Sequence, residues 1–124
     1  MEVIAGINVN VRCLNVSIAL KKKMRETLNH LEYHTRHINC IRLHKSTNKK
    51  HRNKMVEICN WLIDNGYHFV TEAKFKKGGR ADIVVLETGD AYEIMNTEEM
   101  ERFNKKKYPI PTYPIKVTDK WRGL

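Results

Sequence analysis

Two acidic residues stand where carboxylates are costly. Asp82 lies in Gly79-Arg80-Ala81-Asp82-Ile83-Val84-Val85 and Glu93 in Ala91-Tyr92-Glu93-Ile94-Met95, and both runs read as β-strands. A carboxylate inside a β-branched strand is unfavourable unless it is paired or holds a cation. Two successive strands, each with one, can hold Mg²⁺, which takes one or two protein carboxylates and fills its other positions with water and phosphate oxygens. The chemistry such a pair serves is phosphodiester hydrolysis, in which the ion activates a water and offsets charge on the phosphate. The alternative is that both acids sit on the solvent side of an edge hairpin.

Neighbouring residues extend the candidate site. If Lys77-Gly78-Gly79 is a three-residue hairpin loop, residue 76 faces 80, 74 faces 82 and 72 faces 84. Lys74 then stands opposite Asp82, and Glu72 lies one diagonal step away as a third ligand or a base. A two-residue loop would turn both to the other face. On the helix before these strands, a wheel centred on Met55 turns Glu57 outward and brings His51 to the inner side. His51 is therefore the helix-borne candidate for orienting a water or contacting a phosphate, with a backbone-bonded structural histidine as the alternative. His30, His34, His37 and His44 recur along a basic stretch, but without a second element supplying ligands they read as a solvated stripe, and no zinc is assigned.

The elements that must position these residues follow from periodicity. Residues 7–13 alternate apolar and polar, as a strand does. Residues 19–44 read as one long basic helix, uninterrupted by Pro or Gly. A second helix starts at Thr47 or Asn48, buries Met55, Ile58, Cys59 and Leu62, and stops at Asn65-Gly66. Three short strands follow, over 67–75, 80–87 and 91–95, forming a meander of two hairpins. Asn96 and Glu99 make a capping box for a helix ending in Lys105, Lys106 and Lys107. The segment 108–114, with three prolines, is an extended connector, and Ile115-Lys116-Val117 can close the sheet.

With these pieces in order, the sequence resembles the PD-(D/E)XK nuclease superfamily, and within it the small archaeal and viral proteins related to Holliday junction resolvases. The matching pieces are Trp61-Leu62 to Gly66, Thr71-Glu72-Ala73, Gly79 to Val85, Tyr92-Glu93-Ile94 and Thr97-Glu98, within residues 48–117. The resemblance implies an α/β, restriction-endonuclease-like core (helix, three-strand meander, helix, strand) over 47–124, with a basic strand-plus-helix extension over 1–46. It implies a Mg²⁺-dependent endodeoxyribonuclease, with Mn²⁺ able to replace Mg²⁺, and makes Asp82 and Glu93 the metal pair. Where the family's Glu-x-Lys would put lysine, this chain has Met95. Lys74 is the nominated replacement and Lys105 to Lys107 are its rivals. Met95 also makes an inactive DNA-binding module of the same fold the rival function.

Charge points the same way. Of the 124 residues, 30% are charged and 41% apolar, the balance of one folded domain. The formal net charge of +9 is confined to residues 1–56, which hold 12 Lys/Arg and 3 acids, while residues 57–124 hold 11 of each. A basic half on a neutral half suits a polyanion, here DNA, although a merely solubilising surface is the alternative. Lys49, Lys50, Arg52, Lys76, Lys77 and Arg80 are the residues expected to hold phosphates. No apolar run is long enough to span a membrane and no secretory signal is visible, so the protein is expected in the cytoplasm with no membrane partner. Cys13, Cys40 and Cys59 are odd in number and widely spaced, which argues against a disulfide framework. A homodimer is left open.

Overall fold

The computed structural model describes residues 17–103 and 107–124. The expected strand at 7–13 and the lysines at 105 and 106 lie outside them.

Helix α1, Ile18–Asn29, is capped by Ser17, whose hydroxyl accepts from Leu20 N at 3.0 Å. Helix α2, Lys49–Asp64, is capped by Asn48 and ends at Asn65, with Gly66 at φ 78°, as its residue types dictate. Strands β1 (Phe69–Lys74), β2 (Arg80–Val85) and β3 (Asp90–Met95) form the antiparallel meander. Asn96 and Glu99 exchange backbone hydrogen bonds at 2.9 and 3.0 Å, closing the capping box of α3, Thr97–Phe103. The crossover through α3 returns the chain as β4, Thr112–Lys116, parallel to β3, so the mixed sheet runs β1-β2-β3-β4. The connector expected to run to Pro114 is shorter, because Thr112 to Pro114 already pair with β3.

Helices cover both faces of this α/β fold. Met24 of α1 and Leu31 pack with Val70, Val84, Leu86 and Ala91 on one face. On the other, Met55, Ile58, Cys59 and Leu62 of α2 pack with Phe69, Ile83, Val85 and Ile94. Of the stretch read as an extension over 1–46, the described part from residue 17 onward thus supplies one layer of the core. Among the described residues, no helix is long and apolar enough to cross a membrane.

The long helix expected over 19–44 does not form. It stops at Asn29, and the chain then runs along the open edge of β1: Glu32 N–H donates to Lys74 O, Lys76 N–H to His30 O, and Asn39 N–H to Phe69 O. Leu31 and Ile38 form isolated bridges with Phe75 and Val70. Thr71, fully buried, donates to Cys40 O and accepts from Arg42 N. Continuing the helix would strand these edge groups without partners, at about 1–3 kcal/mol for each one buried. The four histidines consequently share no helix face. His30 caps α1, and His34 lies in a 3₁₀ turn over Tyr33–Thr35.

Candidate active site

The backbone is irregular where the acids lie. On β1, Val70 and Ala73 belong to the α1-facing core although they are three residues apart; on β2, so do Ala81 and Val84. Strand residues alternate faces, so each strand must slip once in between. The slip in β1 falls at Glu72, whose φ of 50° is in the left-handed region, disfavoured by about 1–3 kcal/mol for a residue with a side chain. The slip in β2 falls at Asp82. The pairs Thr71↔Ile83 and Ala73↔Ala81 put Glu72 and Asp82 directly across from each other. Both strands thus break pattern at the same level.

This register corrects the sequence reading of the hairpin. Lys74 pairs with Arg80, not Asp82, and Glu72 takes the place expected of Lys74. The loop has the expected three residues but falls one position earlier, at Lys76-Lys77-Gly78: Phe75 N–H donates to Gly79 O and Gly78 N–H to Phe75 O, with both glycines at positive φ. Lys74 itself is exposed.

Between β2 and β3 the ladder opens and side chains replace it. Asp82 N–H donates to Glu93 Oε1 at 2.9 Å, and Ile94 N–H donates to Asp82 Oδ2 at 2.8 Å. Tyr108 O–H donates to Glu93 Oε2 at 3.2 Å; burial, then Glu93, raise this hydroxyl well above the usual tyrosine range. His51 Nε2 lies 3.3 Å from Asp82 Oδ2, as the helical wheel implied. A carboxylate only accepts, so Nε2 carries the proton. That hydrogen bond is the largest cause of a pKa raised above 6.5; burial opposes it, and the charges of Asp82, Glu72 and Glu99 add to it. Glu72 is also raised, by burial first and then by Asp82, while Arg80 at 3.5 Å pulls it down.

His51, Asp82 and Glu93 line a cleft of about 440 Å³, walled also by Thr47, Arg80 and, toward α3, Met95, Glu99 and Arg102. Lys49 and Lys50 are exposed in the first turn of α2 beside His51, and Lys76 and Lys77 are exposed at the hairpin tip beside Arg80. Arg52 is bound to Thr47 O. Glu57 points outward, paired with Lys54. Sequence reasoning missed Tyr108, Glu99 and Arg102 as site residues. Glu99 was visible as a cap, and Arg102 follows it by three residues, the spacing that shares a helix face.

The donor set suits a hard cation. Asp82 and Glu93 offer oxygens only, and Asp82 Oδ1 makes no hydrogen bond among the described residues. Two carboxylates suffice for Mg²⁺, which keeps waters in its other positions. Among the described residues, no group of three or more His, Cys, Asp or Glu forms a fuller cage. No protein-family model matches the chain. No curated protein and no solved structure matches it either.

Proposed function

We propose that the cleft hydrolyses phosphodiester bonds in DNA as a divalent-metal-dependent endonuclease of the PD-(D/E)XK type. The observation that carries this reading is the opposition of Asp82 and Glu93 where their side chains replace the β2–β3 ladder, at a cleft bordered by Arg80 and Arg102. Asp82 and Glu93 would hold Mg²⁺ or Mn²⁺. When bound, the ion supplies a water of lowered pKa and positive charge against the phosphate. The protein's own groups do the rest. His51 fixes the Asp82 carboxylate, and Tyr108 orients Glu93. The exposed Lys49, Lys50, Lys76 and Lys77 supply salt-sensitive affinity for the DNA backbone.

The test is cleavage of duplex, flap and four-way-junction DNA by the purified chain with Mg²⁺ or Mn²⁺, against Asp82→Asn. Metal-dependent cleavage by the parent alone supports the reading. Met95, apolar and almost wholly buried beside Glu93, favours a second reading, a DNA-binding module without catalysis. DNA binding with no cleavage under any metal would select it.

A further inference from the structure

Three basic side chains line the cleft, and two are already committed. His51 is bound to Asp82 at 3.3 Å and Arg80 is paired with Glu72 at 3.5 Å. Arg102 makes no hydrogen bond or ion pair among the described residues, although it lines the same cleft and is exposed. Glu99, one turn earlier on α3, makes no ion pair with it; its Oε1 accepts from Asn96 N in the cap. Met95, at the end of β3 on this side, brings no charge. Arg102 is therefore the one cation that α3 contributes to the lining of the cleft among the described residues.

The charges define what this position is fit to do. A phosphate near Asp82 and Glu93 meets two carboxylates, which repel it. A guanidinium offsets that repulsion and presents parallel N–H donors that match two phosphate oxygens at once, which an ammonium cannot do. Its place beyond β3, with Arg80 at the start of β2, puts one arginine on either side of the carboxylates.

We propose that Arg102 grips a backbone phosphate of the nucleic acid in the cleft by bidentate hydrogen bonds, aligning the strand on the side where β3 ends in Met95. The inference rests on the function proposed above for its substrate class, and it gives a role to Arg102, which that reading places only at the border of the cleft.

The experiment uses the full chain with Arg102→Gln and Arg102→Lys, with folding checked by circular dichroism. Two quantities are read: cleavage kinetics with Mg²⁺ or Mn²⁺, and the salt dependence of binding to a fluorescein-labelled 20-nucleotide DNA. Arg102→Gln is expected to lower kcat/KM by about a hundredfold and to flatten the slope of log K against log salt by about one unit. Arg102→Lys is expected to recover the slope but only part of the rate, since lysine restores charge without the fork. Parent-like rate and slope in Arg102→Gln overturn the inference, as does full recovery of rate by lysine. If the parent binds DNA but cleaves none, the proposed function fails while the slope still decides Arg102: a loss of about one unit upholds the grip, an equal slope rejects it. If the parent does not bind DNA at all, both fall.

Discussion

Asp82 and Glu93 hold each other's strands: Asp82 N–H donates to Glu93 Oε1, and Asp82 Oδ2 takes the N–H of Ile94, the residue after Glu93. The carboxylates proposed for chemistry therefore also replace backbone hydrogen bonds, and substitutions at them separate the two roles. Asp82→Asn and Glu93→Gln keep an oxygen acceptor and should melt close to the parent while abolishing cleavage. Asp82→Ala leaves the Ile94 N–H unpaired and should cost about 1–3 kcal/mol in urea unfolding. Parent-like cleavage in Asp82→Asn would remove it from the metal pair.

Lys74 gives the opposite expectation. It pairs with Arg80 and points into solvent, away from the level of Asp82. Lys74→Met should leave the cleavage rate and the melting temperature at parental values, because exposed substitutions that touch no partner usually change stability by less than about 0.5 kcal/mol. A large loss of cleavage would show that the side chain reaches the scissile phosphate once DNA is bound.

What the sequence disclosed and what it hid divide along local and non-local chemistry. Asn48, Asn65-Gly66 and the Asn96–Glu99 box were legible because each cap is satisfied within four residues. The inward turn of His51 was legible because α2 is regular from its first turn. The end of α1 was not, since Leu31 and Ile38 have helical spacing, and only the open edge of β1, more than 30 residues away, makes pairing the better use of their backbone. The partner of Asp82 was also hidden, because the three-residue loop falls at 76–78 and not 77–79, which moves every partner across the hairpin by two. The faces were hidden as well, since period-two counting assumes an even strand, whereas Glu72 adopts a left-handed φ and both strands slip there. Irregularity of that kind concentrates at functional sites, where local rules fail.

Alkaline pH should weaken the fold through Cys59. Burial on the inner face of α2 pushes its thiol from 9.0 up to about 12. The folded chain keeps a proton that the unfolded chain releases above pH 9, so this stability is complete below pH 9 and declines between 9 and about 12. One such group contributes a slope of at most about 1.4 kcal/mol per pH unit. Tyr92, raised from 10.0 to about 12 mainly by burial, adds to it above pH 10. Urea unfolding from pH 8 to 11 should show the decline, and Cys59→Ala should show a shallower one from a lower starting stability. Parallel curves would mean that Cys59 is not the titrating group.

The last expectation ties a helix cap to the site. Asn48 Oδ1 accepts from the backbone N–H of His51 at 2.8 Å, and the same residue's ring reaches Asp82 at 3.3 Å. The cap thus anchors the turn that aims His51 into the cleft. Asn48→Ala should cost about 1 kcal/mol of stability and fray that turn. If His51 acts by fixing Asp82, the fraying should also lower kcat with little change in KM, because no DNA-contacting charge has been removed. Asn48→Ser, which can also cap, should restore both stability and rate. A variant that loses the cap energy but keeps the parental kcat would show that the His51–Asp82 contact survives without the cap or contributes nothing to turnover, and His51→Gln decides between the two, since only the second leaves its rate unchanged.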